Sequence, residues 1–160
     1  MKKVLIIPFL NMQTGHHQVA DTLIDWLKIL NPLIKADKVD ILEYAYGNVE
    51  LLVSHFYIKS IGTIPSVYSW LYKKNAVNNG NKERFLIYDL LFQRAMLKLI
   101  KEKQPDIIIC THCLPSYILS QLKLTNAISI PIVNVYTDYF INTIWGIKGV
   151  DLHLAPDAHY

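Results

Sequence analysis

Two histidines, His16 and His17, follow Thr14-Gly15 directly, between an apolar run (Val4–Ile7, closed by Pro8) and a segment of helical periodicity. A strand–loop–helix junction of that kind lies at the carboxyl edge of a parallel sheet, where α/β proteins bind their ligands. The partial positive charge at a helix N-terminus favours a neutral imidazole there. A neutral imidazole can take a proton from a hydroxyl nucleophile. His16 is therefore the candidate base, with Gly15 letting the backbone approach a ligand closely. His17 is read as its solvated neighbour. The plainer alternative is a pair of loop histidines that only help to cap the helix.

Thr137-Asp138 closes a second apolar run, Pro131–Tyr136, and is expected at the same sheet edge as His16. A carboxylate there can orient a histidine or accept a substrate hydroxyl; an Asp that merely caps the next turn is the alternative. Trp145, in a stretch read as an irregular loop (Thr137–Gly149), is expected to serve as a ligand platform. Cys110-Thr111-His112-Cys113 is a C-x-x-C between strand and helix, a position that can activate a thiol. A metal site drawing on these cysteines with His16, His17 and His112 lacks a second ligand pair in the sequence. Two buried, apolar cysteines account for the motif more simply. No Walker A loop and no G-x-G-x-x-G is present, which argues against a nucleotide or dinucleotide at the first junction.

The elements that must position these residues are legible as alternating strands and helices. Lys3–Phe9 reads as a buried parallel strand, apolar on consecutive positions. Gly15–Leu30 reads as a helix with Thr14 as N-cap, its stripe formed by Val19, Ala20, Leu23, Trp26, Leu27 and Leu30, stopped by Asn31-Pro32. Lys38–Tyr44 is expected to be the second strand. Gly47–Asn75 is expected to hold two helical pieces split near Gly62, and Phe85–Lys103 to form a long helix with a Lys-rich last turn. Asp106–Thr111, Pro131–Tyr136 and Val150–Ala155 read as further strands, with a helix over His112–Leu124. That alternation predicts an α/β fold with a parallel sheet covered by helices on both faces.

With 160 residues the chain suits one domain with a sizeable core. Its N-terminal apolar run is short, breaks at Pro8 and lacks a small-residue cleavage site, so a first strand is preferred to a signal peptide. No apolar run is long enough to span a bilayer. Two cysteines and no signal suit a reducing, cytoplasmic setting. A net charge of +3 without a dense Lys/Arg run gives no support for nucleic-acid binding. Between Ser54 and Arg84, however, Lys59, Lys73, Lys74, Lys82 and Arg84 face Glu83 alone, interleaved with aromatics that include Tyr68 and Trp70. That composition fits a helix in an anionic membrane interface, with Lys59, Tyr68, Trp70, Lys73 and Lys74 facing the membrane. Ordinary helices packed on the sheet or on a partner domain fit equally well.

Taken in order, Gly15–Ala20 (G-H-H-Q-V-A), Gln104–Thr111 (Q-P-D-I-I-I-C-T), Pro131–Asp138 (P-I-V-N-V-Y-T-D), Ile144-Trp145 and Val150–Asp157 (V-D-L-H-L-A-P-D) carry a resemblance over essentially the whole chain. The chain resembles the N-terminal domain of the monogalactosyldiacylglycerol synthase and processive diacylglycerol glucosyltransferase family, within the MurG-like sugar-nucleotide glycosyltransferases. The family pattern G-x-G-H-x-x-x-A is present as Gly15-His16…Ala20, with Gln13 at its first glycine position. The resemblance implies the N-terminal half of a GT-B fold, two Rossmann-like domains with the acceptor held mainly by the first and the UDP-sugar by the second. It implies that residues 1–160 form an acceptor-binding domain cut short at its C-terminal end. The UDP-sugar-binding domain would lie beyond this chain, so that no cofactor binds here and the fragment alone is inactive. Transfer would proceed with inversion and without metal, His16 and Asp138 being catalytic and Gly15, Thr137 and Trp145 lining the acceptor side. The partners implied are a lipid acceptor, an anionic membrane surface and the chain's own C-terminal domain, at the inner face of the cell membrane. A thiol redox protein using Cys110 and Cys113, and a non-catalytic Rossmann-like binding module, remain the alternatives.

Overall fold

The computed structural model describes residues 1–10, 14–47, 86–138, 141 and 144–156. Five strands, β1 (Lys3–Ile7), β2 (Lys35–Lys38), β3 (Ile107–Cys110), β4 (Ile132–Val135) and β5 (Leu152–Leu154), form one sheet in the order β2-β1-β3-β4-β5. Every pairing in it is parallel. Four helices accompany them among the described residues: α1 (Gly15–Leu30), α2 (Ile41–Tyr46), α3 (Leu86–Lys103) and α4 (Cys113–Leu124).

The continuous apolar runs of β1 and β3 are explained by burial on both faces. Leu5, Ile7, Ile108 and Cys110 point into a core shared with α2, α3 and α4. Val4, Ile6 and Ile109 point the other way, onto Ala20, Leu23, Ile24 and Leu27 of α1. This is the α/β, Rossmann-like sheet with helices on both faces that the alternating pattern predicts. It is also the architecture of the N-terminal half of a GT-B fold.

Two features of the helices depart from expectation. The stripe of α1 overreaches, for Trp26 and Leu30 are 58% and 75% exposed. The face of α1 that packs on the sheet is narrower, formed by Ala20, Leu23, Ile24 and Leu27, and Trp26 and Leu30 fall outside it. The expected strand Lys38–Tyr44 is replaced by the short strand β2 and the helix α2. Asp40 decides the matter: its Oδ1 accepts the backbone N–H groups of Leu42 at 2.8 Å and Glu43 at 3.1 Å, capping α2. β2 is a sheet edge paired only with β1, which lets it be the polar sequence Lys-Ala-Asp-Lys.

The remaining expected elements are found with slightly shorter bounds. The predicted start of the long helix at Phe85 and the helical pieces between Gly47 and Asn75 fall on or extend into residues 48–85, outside the described ones. So do the expected membrane-facing residues Lys59, Tyr68, Trp70, Lys73 and Lys74. No helix among the described residues is long and apolar enough to cross a membrane.

Candidate active site

The site is assembled by register. β1 pairs with β3 so that Ile7 stands opposite Cys110, and β3 pairs with β4 so that Cys110 stands opposite Asn134. The residues just beyond these ends, Thr111-His112 and Thr137-Asp138, are thereby brought to the edge where α1 begins. His16 is the second residue of α1. Residues 95 and 121 positions apart in the chain meet there.

His16 Nδ1 lies 2.8 Å from the carbonyl oxygen of Thr111 and 2.5 Å from Thr137 Oγ1. A carbonyl oxygen can only accept, so Nδ1 carries the proton. Thr137 donates its own hydroxyl hydrogen to the same carbonyl at 3.0 Å, leaving its lone pairs to accept from Nδ1–H. Nε2 is then the nitrogen with a free lone pair. Asp138 Oδ1 stands 3.7 Å from it. The side chains of His16 and Asp138 are 18% and 31% exposed, accessible enough to meet a ligand. Gly15 is exposed, and a Cβ placed on it meets nothing within 4 Å among the described residues. The sequence-predicted residues Gly15, His16, Thr137 and Asp138 thus converge on one place.

The other predicted residues behave differently. His17 is not solvated: it is buried, its Nε2 3.4 Å from Asp40 Oδ2, because the first turn of α1 aims it at the cap of α2 while His16 points along the sheet edge. Trp145 is a core residue, not an open platform. It is 3% exposed and packs edge-on against Tyr136 with ring centroids 4.6 Å apart. The next residue, Gly146, explains this position. Its N–H donates to Ser116 Oγ at 3.0 Å, its carbonyl accepts from Asn134 Nδ2 at 2.8 Å, and the loop is pulled down onto α4.

Cys110 and Cys113 are not joined in a disulfide, and both are buried. Burial alone drives the Cys110 thiol well above the ordinary thiol range. An exchange-active thiol needs the opposite displacement, so the position of Cys110 suits packing better than thiol exchange. Among the described residues, no group of three or more His, Cys, Asp or Glu side chains is placed to hold a metal ion.

One residue of the site was not singled out from sequence for what it does. His112 is the N-cap of α4, its Nδ1 accepting the Leu114 N–H at 3.1 Å. Its ring meets that of His16 edge-on, with centroids 4.7 Å apart. Burial first, then the proximity of His16 and His17, lowers its pKa to about 3, so the ring stays neutral. The available signal was its place: a histidine between the end of a buried strand and a helix, at the same sheet edge as His16.

A parallel α/β sheet with a histidine at the mouth of its first helix, 3.7 Å from a carboxylate just past the end of β4, defines a Rossmann-like domain with a histidine–aspartate pair at the carboxyl edge of its strands. The profile of the monogalactosyldiacylglycerol (MGDG) synthase family matches residues 16–160, and the chain belongs to that family. It is 43% identical over 159 residues to an uncharacterized glycosyltransferase, YkoN, of Bacillus subtilis (strain 168), covering 99% of this chain and 42% of that protein. It is 29% identical over 157 residues to a processive diacylglycerol beta-glucosyltransferase of the same organism, covering 98% of this chain and 40% of the relative. The corresponding enzyme of Bacillus licheniformis is 31% identical over 159 residues, with 98% and 40% covered. The chain spans about two-fifths of the length of the curated relatives it matches. No solved structure matches it significantly.

Proposed function

We propose that this chain is the acceptor-binding domain of an inverting, UDP-sugar-dependent glycosyltransferase that moves a hexose onto diacylglycerol or a related membrane lipid. The donor is held by a second domain outside residues 1–160, and residues 1–160 alone do not catalyse transfer. The observation that carries the proposal is the state of His16, whose Nδ1–H is tied to the Thr111 carbonyl at 2.8 Å, leaving Nε2 as a proton acceptor. Family membership supports the reaction class, and the names of the relatives support the lipid acceptor.

The acceptor hydroxyl lies against Nε2 of His16, near Gly15 and Thr137. As its oxygen attacks the anomeric carbon, Nε2 takes the hydroxyl proton, the new C–O bond forms, and the sugar–phosphate bond breaks with UDP as leaving group. Attack opposite the leaving group inverts the anomeric centre. The imidazolium so formed donates through Nδ1–H to Thr111 and Thr137, and its charge is balanced by Asp138. A base positioned in this way contributes about 10²–10⁴-fold to the rate. The basic aromatic segment around Lys59, Tyr68, Trp70, Lys73 and Lys74 holds the domain on the anionic inner face of the cell membrane, where the acceptor resides.

The test is to incubate the two-domain protein with UDP-hexose and vesicles containing diacylglycerol, then determine the structure of the lipid product. A glycolipid with inverted anomeric configuration is expected. Absence of any glycosylated lipid, or a product of retained configuration, contradicts the proposal.

A further inference from the structure

We infer that His112 is a positioning residue for His16: its ring, wedged between Phe9 and His16, fixes the orientation of the imidazole that accepts the proton. The inference rests on the role proposed above for His16.

A hydrogen bond from one nitrogen leaves an imidazole free to pivot about that contact. Among the described residues the hydrogen bonds of His16 are both made at Nδ1, with Asp138 at 3.7 Å from Nε2 beyond hydrogen-bonding distance, so a ring contact is what can keep Nε2 aimed at the acceptor. The ring of His112 supplies it, meeting His16 at an interplanar angle of 84° with centroids 4.7 Å apart. His112 is itself immobilised. Its Nδ1 accepts the Leu114 N–H at the start of α4. Its other side rests on Phe9, with centroids 5.0 Å apart at 32°. Phe9 in turn abuts Phe92 of α3, edge-on at 5.9 Å. A row of rings, Phe92–Phe9–His112–His16, thus runs from a core helix to the site.

The neutrality of His112 fits this role. Because Nδ1 accepts a backbone hydrogen, the ring proton sits on Nε2. A ring that stays uncharged neither competes with His16 for the acceptor's proton nor repels the imidazolium that forms. Thr111 and His112 are adjacent in sequence, so the end of β3 supplies both the tether and the wall of the base.

Two substitutions in the two-domain protein separate the ring from the cap. His112→Asn keeps an oxygen able to accept the Leu114 N–H and removes the ring. His112→Phe keeps a ring and removes the acceptor. His112→Asn is expected to lower kcat about 10- to 100-fold, the scale of a small misplacement of a reacting group, with KM for the UDP-sugar within twofold. His112→Phe is expected to restore kcat to within about threefold of the unsubstituted protein. An unaltered kcat in His112→Asn overturns the inference, as does a loss in His112→Phe equal to that in His112→Asn. Should His112→Asn not fold, Phe9→Leu loosens the wall from behind without touching a polar group. It is expected to lower kcat about 3- to 10-fold, and an unchanged kcat overturns the inference. His16→Ala measured alongside separates the two levels. Normal turnover there overturns the base assignment and this inference with it, whereas impaired turnover there with normal turnover in His112→Asn overturns only the positioning role.

Discussion

The carbonyl oxygen of Thr111 lies 2.8 Å from Nδ1 of His16, and this single contact decides which nitrogen of the imidazole can act. Ninety-five positions separate the two residues, joined only because β1 and β3 pair side by side. The tautomer of the proposed base is therefore a consequence of sheet register. Any change that displaces the end of β3 from the start of α1 acts on the base directly.

Asp138 Oδ1 lies 3.7 Å from Nε2 of His16, and in the proposed mechanism its charge stabilises the imidazolium. Asp138→Asn keeps the shape and removes the charge. We expect kcat to fall about 10- to 100-fold, with UDP-sugar affinity within twofold, measured by steady-state kinetics and by donor titration.

His112 links acidity to stability. Its pKa in the folded chain is lowered to about 3, against an ordinary value of about 6.5 in the unfolded chain. Between these values the unfolded state binds the extra proton, so stability falls as pH drops below about 6.5 and levels off above it. At pH 5 this contributes a loss of about 1–2 kcal/mol relative to pH 7. Urea unfolding of the chain at both pH values checks it: His112→Asn should show a smaller loss by that amount, and an identical loss in both proteins counts against the depressed histidine.

Gly146 is required by a close approach. A Cβ there would stand 2.5 Å from both the Ser116 carbonyl oxygen and Ser120 Cβ. Gly146→Ala must push the Trp145 loop off α4, at a cost of about 1–3 kcal/mol and a fall in Tm of about 3–10 °C. Thermal unfolding followed by circular dichroism measures it, and an unchanged Tm would mean that the loop is not pressed on the helix as described.

Membrane attachment is expected to be electrostatic in part. Replacing Lys59, Lys73 and Lys74 together by Ala should weaken binding to vesicles rich in anionic lipid by up to about 100-fold, at about 1 kcal/mol for each charge. Added salt should weaken the original protein in the same way. Vesicle sedimentation reads both, and equal binding of the two proteins would remove these lysines from the contact.

The sequence carries some of this plainly. α1 is found over the residues its periodicity predicts, Gly15–Leu30, and β1, β3 and β4 are apolar runs because both of their faces are covered. His16, Thr137 and Asp138 were legible as residues following strand ends, since in a parallel sheet all such ends share one edge. Lys38–Tyr44 misled because its alternation imitates a strand, while the helix signal, Asp40 with Glu43 three residues on, is only four residues long. The burial of Trp145 is not legible locally, because it depends on Gly146 meeting Ser116, thirty positions away. In the sequence His112 stands out only as a candidate metal ligand within C-x-x-C and as the start of a helix. Its contact with His16 is created by strand order, which local patterns do not encode.

The most direct test of the central claim is turnover by His16→Ala in the two-domain protein, measured beside UDP-sugar binding. The account predicts that kcat falls about 10²–10⁴-fold while the Kd for the UDP-sugar stays within twofold. A kcat close to that of the unsubstituted protein would contradict it.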